Sequence, residues 1–150
     1  MSAGDIPVFQ ECNCLAIRQA ARHVTQFYDQ LLAPVGLRAT QYAILSWLRR
    51  SGPITINALA AALVMDRTTL GRNIQPLQRD RLIEVVASPK DRRRRDLRLS
   101  DKGLATHQQA VERWAVAQQR FDTVFGCERA ARLRSLLREV TASDFSGPAG

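Results

Sequence analysis

Four consecutive arginines, Arg92, Arg93, Arg94 and Arg95, follow Asp91 directly. Each carries a flat, permanently charged fork that matches phosphate oxygens and guanine edges, so the run is suited to a polyanion. Upstream, Arg67, Thr68, Thr69, Arg72, Asn73 and Gln75 crowd one short segment with hydroxyl, amide and guanidinium groups, the set that hydrogen-bonds to base edges. The remaining reactive groups are sparse. Cys12, Cys14 and Cys127 cannot complete a set of internal disulfides, which fits a reducing compartment. On a helix Cys12 and Cys14 would point about 200° apart, and His23 and His107 stand alone, so no metal and no cofactor is expected. Without a glycine-rich phosphate loop, paired carboxylates or a nucleophile beside a histidine, the chain is not expected to be an enzyme.

The overall charge agrees with the local one. At 150 residues and 45% hydrophobic content the chain suits one domain with its own core, and its net charge of +8 calls for an anionic partner. Only Lys90 and Lys102 are lysines, so arginine supplies nearly all of that charge. The amino-terminal MSAGDIPVFQ has no charged start followed by an apolar run, and no stretch nears the roughly 20 apolar residues that cross a bilayer. A soluble, cytoplasmic protein without a membrane partner is expected.

The elements that must hold these groups follow from apolar spacing. From Phe9 to Leu32, Ala16, Ala20, Val24, Phe27, Tyr28 and Leu31 recur at helical steps, and Pro34 and Gly36 end the run. Thr40 is read as the cap of a second helix, Gln41 to Arg50, apolar around most of its surface and stopped by Ser51-Gly52-Pro53. Ile54 to Ile56 is a scrap of strand before a short helix carrying Leu59, Ala60, Leu63 and Val64. Asp66 caps the next helix, which sets Leu70, Ile74 and Leu77 on one face, with Pro76 expected to bend its last turns. Two helices joined so tightly suggest a helix-turn-helix. Leu82 to Val86 and Leu97 to Leu99 read as two strands around the arginine tip, a β-hairpin wing. Ser100 then caps a long helix bearing Leu104, Val111, Trp114, Phe121 and Phe125 to Gly126. A last helix carries Leu133, Leu136, Leu137 and Val140 before a tail that frays from Ser143.

The fold class is therefore mainly α, a winged helix-turn-helix with a two-stranded wing between long terminal helices. One domain spans residues 1–150, with the winged lobe at about 38–103 and the flanking helices at about 9–33 and 101–143. The flanking helices exceed what the lobe needs, and their apolar stripes suggest burial between two chains. A two-fold homodimer would set two recognition helices about 34 Å apart on a palindromic double-stranded DNA operator.

Two motifs resemble the MarR family of winged helix-turn-helix transcriptional regulators. Asp91 to Gly103 matches the family's D-x-R, five variable residues, then L-T/S-x-x-G. Leu59-Ala60, Asp66 to Leu70 and Leu77 to Ile83 are similar to its paired helices, with Arg81 in place of the usual glycine. The resemblance implies a dimeric, ligand- or redox-responsive regulator, read here as a repressor, whose recognition helix enters the major groove and whose wing reaches the minor groove. Arg72 is placed to pair with guanine, and Arg93 is the candidate for wing-tip insertion, aimed by a salt bridge from Asp91. Arg92, Arg94, Arg95 and Arg98 are phosphate contacts or salt-bridge partners.

The family's hydroperoxide-sensing members carry a reactive cysteine near the start of the first helix, held by tyrosines. Cys14 and Tyr28 match that spacing, but Arg18 and Ala39 occupy the other tyrosine positions. Cys14 is then either a redox site with Arg18 favouring its thiolate or a buried structural cysteine, and Cys127 reads as packing. For the other members the resemblance implies a small aromatic or acidic effector, which Ala16, Arg22, His23, Phe27, Tyr42, Trp47 and Trp114 would line, Arg22 or His23 pairing with an acid. A sequence-neutral basic winged helix is the remaining alternative. It would favour more cations than Thr68, Thr69 and Asn73 supply.

Overall fold

The computed structural model describes residues 9–147; the amino-terminal segment read as lacking a leader lies largely outside them. A 3-10 turn at Phe9–Glu11 precedes α1 (Asn13–Leu32), and α2 (Ala39–Ser51), β1 (Ile54–Thr55), α3 (Ile56–Ala62), α4 (Arg67–Arg79), β2 (Ile83–Ala87), β3 (Arg95–Leu99), α5 (Asp101–Phe125) and α6 (Cys127–Ala142) follow. The first helix starts later than its apolar periodicity suggests because Cys12 takes the cap position, its sulfur accepting the Leu15 N–H at 3.4 Å. Residues to Trp114 form one compact unit and those from Ala115 a second, the division falling inside α5.

In the first unit the core gathers Leu32 and Leu37, Ile44, Leu45 and Leu48 of α2, Leu59 of α3, and Leu70, Ile74 and Leu77 of α4. Most are fully removed from water, and each such side chain contributes about 1.5–3 kcal/mol of hydrophobic free energy. Thr40 does not cap α2. The helix begins at Ala39, whose N–H donates to Asp29 Oδ1 at 2.7 Å, while Gln41 Oε1 accepts the Arg38 N–H. A carboxylate from α1 thus satisfies an orphan donor at the start of α2, which local sequence spacing could not reveal.

Thr55 caps α3 through the Ala58 N–H, and Asp66 caps α4 through the Thr69 N–H at 2.8 Å. Between these helices Val64 takes a φ of +53°, a left-handed conformation in which a β-branched residue is strained. The α4 helix runs through Pro76 to Arg79. At its exit Arg81, standing where the family favours glycine, has a φ of +60°.

The scrap of strand at Ile54 is a true sheet member. The sheet has three antiparallel strands in the order β1-β3-β2, so the wing hairpin is anchored on a third strand. Ile54 pairs with Leu97 and Thr55 with Asp96, while β2 pairs with β3 from Ile83–Leu99 to Ala87–Arg95. Beyond β3, Ser100 Oγ accepts the Gly103 N–H and donates to the Arg81 carbonyl, and Lys102 Nζ donates to the Asp80 carbonyl. These bonds tie the exit of α4 to the start of α5.

In the second unit Ala117 and Ala130 are fully buried. Phe121 packs on Phe125, whose ring face carries the Arg129 guanidinium at 4.4 Å. Val124, Leu136, Leu137 and Val140 remain exposed, as does Ile17 on α1 of the first unit. Ser143 to Gly147 form neither helix nor strand, and no helix among the described residues is long and apolar enough to cross a membrane.

Candidate nucleic-acid interface

The capped start of α4 faces solvent. Arg67, Thr68, Thr69, Arg72 and Gln75 are exposed and Asn73 is half-buried, while Leu70, Ile74 and Leu77 turn inward. Thr68, Arg72 and Gln75 recur at helical steps and share one face. Arg67 and Arg72 form no ion pair among the described residues, so their guanidinium groups are available. Thr69 and Asn73 are engaged within the helix. The Thr69 hydroxyl donates to Asp66 Oδ2 at 2.6 Å, and Asn73 Nδ2 donates to the Thr69 carbonyl. The Thr69 hydroxyl and amide hold the Asp66 carboxyl below its ordinary range, which keeps the cap ionised.

The wing arginines divide into two groups. Arg94 Nε lies 3.1 Å from Asp96 Oδ1, a carboxylate only 4% exposed, and Arg98 pairs across the hairpin with Glu84 at 3.0 Å. Arg92, Arg93 and Arg95 are exposed without an ion pair among the described residues. The expected salt bridge from Asp91 to Arg93 does not form. Asp91 Oδ1 instead accepts the Arg93 backbone N–H at 2.9 Å, and the Asp91 carbonyl accepts the Arg94 N–H. A short aspartate side chain reaches the amide two residues on more readily than a guanidinium, so Asp91 shapes the turn rather than aiming the side chain.

The expected effector residues are only partly brought together. A 520 Å³ cavity is lined by Tyr28, Ala39, Tyr42, Ala43, Ser46, His107 and Trp114. Of the expected set it contains Tyr42 and Trp114, together with Tyr28 from the thiol reading. Ala16, Arg22 and His23 are exposed on α1 outside the lining, so neither Arg22 nor His23 faces a bound acid there. Phe27 also lies outside the lining, set edge-on against Tyr28, while Trp47 packs on the hydrophobic core. Sequence reasoning missed Ser46 and His107. Their signal was the helical spacing of Tyr42 with Ser46 and of His107 with Trp114. His107, 8% exposed, lies 3.0 Å from Ser46 Oγ and stacks on Tyr42. Burial, and then the charge of Arg49, push the His107 imidazole below its ordinary pKa.

All three cysteines are exposed, which corrects the reading of Cys14 as buried structure and of Cys127 as packing. Among the described residues, those at the start of α1 and of α6 are largely exposed, so spacing alone overstated their burial. No cluster of three or more potential metal ligands occurs among the described residues.

A sequence profile of the MarR family matches residues 35–94. Among solved structures, the Mycobacterium tuberculosis transcriptional regulator MosR in complex with DNA is 35% identical, with a TM-score of 0.75 over 88% of this chain and 98% of that one. The transcriptional repressor CouR bound to a 23-mer DNA duplex is 26% identical, with a TM-score of 0.80 over 88% and 94% of the respective chains. PcaV from Streptomyces coelicolor, in complex with its natural ligand, shares the fold at 24% identity, with a TM-score of 0.81 over 95% and 99%. No curated protein sequence gives a significant match.

Proposed function

The chain belongs to the MarR family of DNA-binding transcriptional regulators, and from that membership we propose that it is a cytoplasmic, homodimeric repressor of a palindromic operator, released by a small effector. It regulates transcription and is not an enzyme. One observation carries the reading of DNA: Arg67 and Arg72 on the exposed start of α4, and Arg92, Arg93 and Arg95 on the wing, form no ion pair among the described residues and leave their guanidinium groups available. In this reading Arg72 contacts a base edge with Thr68 and Gln75, Arg93 enters the minor groove, and Arg92 and Arg95 hold phosphates. Arg94 serves the wing itself by neutralising Asp96. The winged lobe spans about residues 38–103, and the helices at about 9–33 and 101–143 supply the dimer contact. The exposed Ile17, Leu136, Leu137 and Val140 support that assignment. The repressor sense draws support from CouR, a repressor bound to DNA.

The test begins with an operator selected from random duplexes. Arg72→Ala is expected to cost about 1–3 kcal/mol on that operator and little on random DNA. Arg92→Ala should weaken both and reduce the salt slope by about one unit. Equal losses on both DNAs for Arg72→Ala reject base reading and favour a sequence-neutral binder.

A thiol switch is the second reading, favoured by the exposure of Cys14. Rapid, thiol-reversible release of operator by an organic hydroperoxide, abolished in Cys14→Ser, selects it over the ligand mechanism.

A further inference from the structure

We propose that Asp96 is an internal phosphate mimic: it competes with DNA for Arg94, withholds that arginine from the phosphate backbone, and so limits the sequence-neutral hold of the wing. The inference rests on the reading of the wing as a DNA contact and names the cation that this contact leaves out.

The place of the carboxylate comes first. The β3 strand is the middle one of the sheet, and Asp96 stands opposite Thr55 of β1 and Val86 of β2, so strands on both sides hold its backbone. Its side chain is only 5% exposed. A carboxylate so far removed from water is strongly destabilising unless a cation and hydrogen bonds meet it. The cation stands two residues back, where Arg94 Nε donates to Asp96 Oδ1 at 3.1 Å. Along the strand Asp96 takes one face and Arg95 the other, so pairing with Asp96 turns Arg94 away from the side that Arg95 presents.

The backbone of Arg94 is fixed as well. Its carbonyl accepts the Ser88 N–H at 2.9 Å and its N–H donates to the Asp91 carbonyl at 3.0 Å, which leaves side-chain rotation as the way for the guanidinium to reach DNA. That rotation strands Asp96.

Exposure separates this pair from the other one on the hairpin. The side chains of Arg98 and Glu84 are 51% and 46% exposed, so when Arg98 turns to a phosphate, Glu84 stays in water at little cost. Asp96 has no such recourse. A phosphate that draws Arg94 away gains a charge-assisted hydrogen bond but leaves a buried carboxylate alone, and the second effect offsets the first. Arg94 is itself half exposed, so the burial of its partner, not its own, holds it back. Arg92, Arg93 and Arg95, with no ion pair among the described residues, and Arg98, on an open pair, remain free to meet DNA.

Binding of the full chain to a random-sequence duplex, followed by fluorescence anisotropy between about 50 and 200 mM salt, tests the competition. Asp96→Asn keeps the side-chain shape and removes the competing charge. With folding checked by thermal melting, it is expected to bind at least about threefold more tightly and to steepen the salt slope by about one unit for each wing bound. Arg94→Ala alone should leave the slope unchanged, and adding it to Asp96→Asn should cancel the gain. Glu84→Gln makes the same change in net charge on an exposed pair and should alter the slope by less than about half a unit. If the asparagine variant does not fold, Asp96→Val, a residue suited to a strand, takes its place. An unchanged slope in Asp96→Asn, a gain that survives removal of Arg94, an equal gain in Glu84→Gln, or a shallower slope in Arg94→Ala overturns the inference. Arg92→Ala reads the wing contact by itself. A shallower slope there with no gain in Asp96→Asn rejects the inference alone, and an unchanged slope there rejects the wing reading and the inference with it.

Discussion

The backbone carbonyl of Leu82 occupies the space into which any side chain at Gly103 would have to project. A Cβ at that position would overlap the Leu82 oxygen and crowd its carbonyl carbon at 2.9 Å. The same carbonyl accepts the Ser100 N–H at 3.1 Å, so it cannot move away without losing the start of α5. The glycine of the L-S-x-x-G segment is therefore required by close backbone approach rather than by an unusual φ. Gly103→Ala should destabilise the chain by about 1–3 kcal/mol or more, read by urea unfolding. A variant as stable as the parent would show that the joint between α4 and α5 is not rigid.

Two side chains sit where glycine would be easier. Val64 has a φ of +53° and is 72% exposed, and Arg81 has a φ of +60° and is also exposed. The left-handed region costs a non-glycine residue about 1–2 kcal/mol, partly offset by the greater unfolded-state freedom of glycine. Val64→Gly should raise stability by about 1 kcal/mol, and Arg81→Gly by less, because valine is branched at Cβ. Loss of stability in both variants would mean that their side chains make contacts outweighing the strain.

His107 should give the fold an acid-side sensitivity. Its folded-state pKa is depressed, so the unfolded chain takes up the proton first as the pH falls. The contribution of the neutral imidazole is complete above about pH 6.5, the unfolded value, and declines below it until the folded group also titrates. His107→Phe keeps a ring against Tyr42 but removes the proton. Denaturant midpoints between neutral and mildly acidic pH should fall less steeply in this variant, and an identical acid slope would rule His107 out.

Assembly is checked in the full chain by substitutions in the second unit. Leu136 is 50% exposed and Leu137 40%, a costly arrangement for adjacent leucines unless a partner covers them. Replacing both by glutamate should convert a dimer to a folded monomer in sedimentation and sharply weaken operator binding, since two linked half-sites become separate binding events. An unchanged dimer would move the interface elsewhere.

Local rules carried much of the fold. The apolar faces of α2 and α4, the Asp66 and Ser100 caps, the hairpin around the arginines and the tight joint between α3 and α4 follow from periodicity, capping and turn chemistry, all set by residues within a few positions of one another. The exposed character of the α4 start was legible for the same reason. Long-range partnerships were not. Asp29 caps α2 from the preceding helix, Arg98 pairs with Glu84 across the hairpin, β1 joins the wing sheet, and His107 meets Ser46 across 61 residues of chain. A cysteine at helical spacing says nothing about whether another layer covers it, and Cys14 proves exposed. Sequence alone thus determined which residues could read a polyanion and on which elements they stand. Only tertiary packing decided which arginines remain unpaired and which rings enclose a cavity, because burial and charge pairing depend on neighbours that the order of residues does not place side by side.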